Sequence, residues 1–220
     1  MGIQLIGNGG TVAEVDGTSF RTLRVVNKPL DFNALGHYRS SVRFTMATSQ
    51  NANSRVWEIR NTSTNLIVPT RLRIGVMPAG TVTTAYRFEL DVFRCTSFTA
   101  VDTTNTVTPT ASVRRTSGMA AAPGNAAIRH VTVAGAAAGM TGGTLTKDGG
   151  AAGIFECWVA TSAATTIALY AEMLDDVNGT HPWVFAQNEG LEVENIVAGS
   201  ATANVVDVAI DFSWAEVSTF

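Results

Sequence analysis

Val206-Asp207-Val208-Ala209-Ile210-Asp211-Phe212-Ser213-Trp214-Ala215 sets five large apolar side chains against small or charged ones at every second position. Successive side chains of a strand point to opposite faces, so Val206, Val208, Ile210, Phe212 and Trp214 line one buried face and the intervening residues the other. The same period recurs upstream. In Tyr38–Met46 the apolar set is Tyr38, Val42, Phe44 and Met46, against Arg39, Arg43 and Thr45. In Tyr86–Val92 it is Tyr86, Phe88, Leu90 and Val92, against Arg87, Glu89 and Asp91.

Working outward from these runs, further strands are expected over Phe20–Val26, Val56–Arg60, Arg71–Met77, Phe155–Ala160, Thr165–Glu172 and Leu191–Val197. Turn chemistry separates them at Asp16-Gly17, Pro78-Ala79-Gly80, Asp148-Gly149 and Asn178-Gly179. Leu30–Leu35 and Ala120–Ala127 each have room for a helical turn, and no longer helix is indicated. About eight to ten strands without intervening helices predict an all-β fold, an antiparallel two-sheet sandwich with the jelly roll as leading topology. The 220 residues are read as a single domain over 1–220.

One stretch departs from this pattern. Ser117–Gly153 is dominated by Gly and Ala, with one short apolar run, Ile128–Val133. So little apolar area does not offset the entropy of ordering a long segment. It is therefore expected to leave the sandwich as an interaction arm or loop over 117–153, ordered against a neighbouring molecule.

Charged residues make up 15% of the chain, against roughly 25% in ordinary soluble domains. Such a surface favours a protein that works packed against other subunits. Lys28 and Lys147 are the only lysines, so the basic residues are nearly all arginine, a bias that suits protein interfaces. The net charge of −3 supplies no attraction to nucleic acid or to anionic membranes. No basic leader opens the chain and no run approaches the ~18 apolar residues of a membrane span, so no signal-peptide export and no membrane partner are expected. Cys95 and Cys157 lie in separate expected strands and are read as free, buried thiols.

Signatures of catalysis and cofactor binding are weak throughout. His37, His130 and His181 are far apart and lack ligand-type neighbours at metal-site spacing. There is no nucleophile elbow, phosphate loop or dinucleotide fingerprint. Glu192 and Glu194 project from one strand face about 7 Å apart, within reach of an inverting glycosidase. Because Leu191 and Val193 take the core side, the two glutamates are read as charges on a solvent or subunit face. Asp175 and Asp176 precede Asn178-Gly179 and read as turn residues, with a loose calcium site as the alternative. Arg71 and Arg73 lie on the polar side of a strand, and no interleaved aromatics suggest stacking on bases. Arg114, Arg115 and Arg129 flank the Gly/Ala stretch and are expected to anchor an acidic partner surface. Trp183, beside Pro182, is the one aromatic expected in a presenting loop. No catalytic, cofactor-binding or metal-ligating residue is assigned.

Several short motifs carry a resemblance. Ala186-Gln187-Asn188-Glu189-Gly190-Leu191, followed by Phe212-Ser213-Trp214-Ala215-Glu216-Val217, resembles the end of a group of virion structural proteins of tailed bacteriophages. Leu35-Gly36-His37-Tyr38-Arg39 and Arg115-Thr116-Ser117 with Met119 are also similar to that group. The resemblance spans most of the chain and is weakest over Ser117–Gly153. It implies a non-enzymatic particle component, foremost a head decoration or cement protein, assembled in the host cytoplasm and resident in the virion. Its expected partners are itself, as a homotrimer, and the major capsid protein or another virion protein. A tail-fibre or receptor-binding adhesin is the alternative, and a glycan depolymerase the third reading. Within the resemblance, Gly190 is expected to permit a tight start to its strand, and the Trp214 indole to close one end of the sandwich.

Overall fold

The computed structural model describes residues 36–79, 82–104, 106–109, 113–114, 126–131, 136–161, 169–175, 182–199 and 206–218. They belong to one compact unit, Asn33–Phe220. The expected strand over Phe20–Val26, the turn over Leu30–Leu35 and the turns at Asp16-Gly17 and Asn178-Gly179 lie outside the described residues.

The first four strands are β1 (Gly36–Thr45), β2 (Ser54–Asn61), β3 (Leu66–Pro78) and β4 (Tyr86–Phe98). A group of short ones follows: β5 (Thr106–Val107), β6 (Val113–Arg114), β7 (Ala126–Val131) and β8 (Leu145–Lys147). The last four are β9 (Gly153–Val159), β10 (Leu169–Asp175), β11 (Gly190–Asn195) and β12 (Val206–Val217). Among the described residues the only helical element is a single 3-10 turn, Ala136–Ala138. The turn expected over Ala120–Ala127 gives way at its end to β7, because Ala126 and Ala127 pair with Asn61 and Arg60 of β2.

The strands form two antiparallel sheets that pack as a sandwich. One has the order β10-β3-β12-β1-β6, the other β5-β7-β2-β11-β4, with β8 and β9 sharing the far edge of β4. The long strands pair in a nested series: β1 with β12, β2 with β11, β3 with β10, and β4 with β9. Along β1 to β4 the chain alternates between sheets, and along β9 to β12 it alternates back. This is the arrangement made by rolling up one long antiparallel ribbon. Between β4 and β9, strands β5, β7 and β8 extend the larger sheet and β6 the smaller, and Ile128, Val131 and Met140 join the core.

The inner faces follow the alternation in the sequence. Val206, Val208, Ile210, Phe212 and Trp214 of β12 are all at most 1% exposed. They meet Trp57 and Ile59 of β2, Leu90 and Val92 of β4, and Leu191 and Val193 of β11 in one core. Burying each such side chain contributes about 1.5–3 kcal/mol. The Phe212 ring lies 5.6 Å from Trp57 across the sheets and 5.5 Å from Trp214 along its own strand, so the centre of the sandwich is aromatic. Opposite Ser213 and Trp214, β3 carries one extra residue, Thr70, as a bulge, while β12 stays in unbroken register with β1. Beyond it Ala215, Glu216 and Val217 are all buried.

Asp148-Gly149 is not a hairpin turn. Lys147 stands opposite Cys95 and Gly153 opposite Val92, both antiparallel to β4. The amide of Asp148 donates to Arg94 O at 3.0 Å, and that of Ala152 to Val92 O at 2.7 Å. β8 and β9 thus run in one direction along one edge, with a short outward loop between them. Gly149 and Gly150 face open space there, so the glycines serve a local loop rather than a reversal of the chain.

Candidate functional site

The most unusual chemistry lies on the outer face of the larger sheet. Alternation along β11 sends Leu191 and Val193 inward and Glu192 and Glu194 outward, as the sequence indicates. The outward glutamates are nevertheless not solvent-facing. Glu192 is fully buried and Glu194 is 7% exposed, because chain from the β4–β9 connection lies over them. Lys147 of β8 crosses Phe93, with its Nζ 4.1 Å from the ring centroid. That nitrogen ends 2.6 Å from Glu194 Oε2 and 3.4 Å from Glu192 Oε1.

A second cluster adjoins this one. Arg55 of β2 lies 3.3 Å from Glu58 Oε2 and 3.1 Å from Asp102 Oδ2, and donates to Gly142 O at 2.6 Å. The Asp102 amide donates to Glu58 Oε1 at 2.8 Å, and Arg129 Nε donates to Asp102 O at 3.2 Å. The Gly/Ala-rich chain closes over this cluster through its backbone. The Met140 amide donates to Arg55 O at 2.9 Å and the Asn51 amide to Ala137 O at 2.6 Å. Gly139, at φ +70°, would bring a Cβ within 2.5 Å of Arg55 O. Small residues therefore permit close backbone approach, and Ala137, Gly139 and Met140 lie against the chain's own β2 and the turn before it. Residues 117–125 and 132–135 of the expected arm lie outside the described residues.

Burial dominates the electrostatics. It pushes Glu192 up to about 7, with the Glu194 charge adding to the rise and Lys147 and Arg55 opposing it. Burial also raises Glu58, against the Asp102 amide and Arg55. Asp91 is raised by burial and then by Glu89 and Glu194. For Lys147, burial works to lower the pKa, but the hydrogen bond to Glu194 and the charges of Glu192 and Glu194 outweigh it and hold the ammonium above its usual value. Burial, aided by the Glu192 charge, raises the Cys95 thiol. Glycoside hydrolysis by an acid pair needs room for a sugar and a water, whereas the Lys147 side chain occupies the space beside Glu192 and Glu194.

The other expected site residues are scattered. Arg129 donates within its own chain to Asp102 O, Ile128 O and Thr108 Oγ1. Arg114 belongs to β6, opposite Tyr38 on the far side of the sandwich. Arg115 lies outside the described residues. Trp183 lies in the connection before β11, half-buried, and packs on the core with its ring 6.3 Å from Phe185. Arg39 and Arg71 pair on their own sheet with Asp211, at 2.5 Å, and with Glu172. Asp175 ends β10 opposite Arg71, and Asp176 lies outside the described residues. Among the described residues no three His, Cys, Asp or Glu side chains are grouped to hold a metal ion.

Strand β9 carries a feature the motifs did not single out. Phe155 and Val159 face the core and Cys157 packs against it, so Ile154, Glu156 and Trp158 face outward. Ile154 is 59% and Trp158 67% exposed, the two most exposed large apolar side chains among the described residues. Arg87 bridges Glu89 at 2.6 Å and Glu156 at 2.7 Å between them. β9 pairs with β4 along one edge, and among the described residues no strand pairs with the other. The period of Phe155, Cys157 and Val159 was the signal available in the sequence. Comparison with protein-family models and with curated proteins finds no match.

Proposed function

We propose that this chain is a non-enzymatic virion structural protein, a decoration or cement protein that reinforces the head of a tailed phage. The observation that carries the reading is the outward strip of β9, where Ile154 and Trp158 flank the Arg87–Glu156 pair on a strand whose second edge is unpaired among the described residues. Open edges with exposed aromatic side chains are association surfaces unless something covers them. The nested strand pairing fits the jelly roll, an architecture used by viral capsid and lectin domains, although a fold alone assigns no function. The low charge and the resemblance of the Gly190 and Trp214 regions to tailed-phage virion proteins add to the reading. The closed, lysine-capped glutamates offer no cleft for turnover, which weighs against a depolymerase. Trp183, packed on the core, adds nothing to the adhesin reading.

On this proposal the protein is a homotrimer in the virion, with the major capsid protein as its second partner. Heads lacking the protein, incubated with purified wild-type chain or with Trp158→Glu, provide the test. Wild-type protein is expected to bind and raise the temperature at which heads rupture, and Trp158→Glu to bind at least tenfold more weakly. Equal binding of both would remove β9 from the interface. Failure of folded wild-type protein to bind heads would contradict the decoration role.

A further inference from the structure

The geometry points to a covalent modification site: we propose that Lys147 Nζ and the Glu194 side chain condense to an intramolecular amide, with Glu192 carrying the proton between them. Three observations converge on it. The Lys147 nitrogen lies 2.6 Å from Glu194 Oε2, already at contact distance from the carboxyl it would attack. Glu192 shares that ammonium at 3.4 Å, is fully buried, and neither of its oxygens has a well-formed hydrogen bond. The lysine chain lies on the Phe93 ring, which shields one side of the site from water.

The balance needs no oxidant and no co-reactant. The ammonium of Lys147 passes one proton to the Glu192 carboxylate, leaving a neutral amine. The amine attacks Cδ of Glu194, and the tetrahedral centre loses one carboxyl oxygen. That oxygen takes a proton back from Glu192 and a second from the nitrogen and leaves as water. An ammonium and a carboxylate become an amide and one water, and Glu192 ends as it began. Two groups held in contact react at effective molarities of about 10⁵–10⁸ M, which favours condensation inside a fold although it is unfavourable in dilute solution. A buried carboxyl with raised proton affinity suits the shuttle role.

The surroundings set the pH dependence. Glu194 supplies the negative charge that acts on Glu192, and Lys147 and Arg55 supply the positive charge. Glu58 stands opposite Glu192 on β2, Asp91 stands opposite Glu194 on β4, and Cys95 is a buried neighbour. The two glutamates hold Lys147 protonated, so the free amine is a minor species and the reaction is slow. Its rate is expected to rise with pH as amine forms and to flatten once Glu192 stays ionised. The product ties β8 to β11 across β4 and locks the β4–β9 connection onto the sheet.

Peptide mapping and intact mass of the full chain, aged at neutral and mildly alkaline pH, test the inference. The expected result is a species lighter by one water, with Lys147 and Glu194 in one branched peptide. Lys147→Arg, which keeps the charge, is expected to abolish the link. Glu192→Gln is expected to fold and slow its formation at least tenfold. A mass that stays at the sequence value with Lys147 in a linear peptide would overturn the proposal. A link from Lys147 to Glu192 would overturn the assigned roles, as would Glu192→Gln linking at the wild-type rate. The readout does not depend on the virion reading.

Discussion

Gly190 at the start of β11 lies so close to Ile59 of β2 that a Cβ on it would sit 1.8 Å from the Ile59 carbonyl oxygen. No positive φ is involved, and the requirement is space between two paired strands. Gly190→Ala must therefore push β11 off β2, and is expected to cost about 2 kcal/mol or more. Urea unfolding compared with wild type checks this. A shift within about 0.5 kcal/mol, the size of a surface substitution, would contradict it.

The aromatic centre gives a second expectation. Phe212 bridges the sheets through Trp57 and stacks along its strand on Trp214. Phe212→Ala is expected to lose about 3–5 kcal/mol, because the strands on either side prevent the cavity from collapsing. Chemical denaturation measures it, and a loss below about 1 kcal/mol would mean that the two sheets are not locked there.

Glu192 gives a pH dependence of defined sign. Burial raises its folded pKa from 4.5 to about 7, so the folded state holds the proton more tightly than the unfolded chain does. The stabilisation is fully present below the unfolded value and is lost as pH rises through about 7. Between pH 5 and pH 8.5 the decline attributable to this group is expected to be roughly 1–3 kcal/mol, and Glu192→Gln is expected to remove it. Burial acts in this direction whether or not Lys147 is linked. A wild-type profile that rises with pH over this interval would contradict the assignment.

The cysteines should label unequally. Cys157 is half-buried with its thiol pushed up to about 11, mainly by burial and then by Glu156, and Cys95 is buried beneath the polar layer. Both are free thiols. An aromatic disulfide reagent at neutral pH is expected to react slowly with Cys157 and with Cys95 only on unfolding. Rapid reaction at Cys95 would show that the covering chain opens readily.

These expectations separate what the local sequence encodes from what it does not. The strands β1, β4 and β12 are legible because one face of each is apolar, and a two-residue period reports that directly. The run expected over Arg71–Met77 starts earlier, at Leu66, since Leu66, Ile67, Val68 and Pro69 continue pairing with β12 past the bulge at Thr70. The polar layer was not legible. Glu192 and Glu194 alternate with Leu191 and Val193 as solvent-facing residues do, and nothing within β11 reports that Lys147 and the chain around Asp102 and Met140 will cover them. Within the Gly/Ala stretch, apolar content measures only side-chain burial, whereas Gly139 acts by letting backbone approach β2 at Arg55. Trp158 was legible from the period of its own strand, but only the sheet order reveals that the strand is an edge.

Self-association follows from the proposed role. The purified chain is expected to sediment as a trimer at micromolar concentration in both low and high salt, because apolar burial rather than exposed ion pairs would carry the contact. Exposed pairs such as Arg87–Glu156 are each worth about 0.2–1 kcal/mol at most. Dissociation by salt alone would contradict an apolar interface, and a monomer in both buffers would leave assembly to the particle.

Cryo-electron microscopy of the intact particle tests the central claim most directly. The account predicts density for this sandwich on the outer surface of the head, over contacts between capsid subunits, with Trp158 and Ile154 of β9 buried against a neighbour. Density at the tail tip, or a head-bound sandwich with β9 facing solvent, would contradict it.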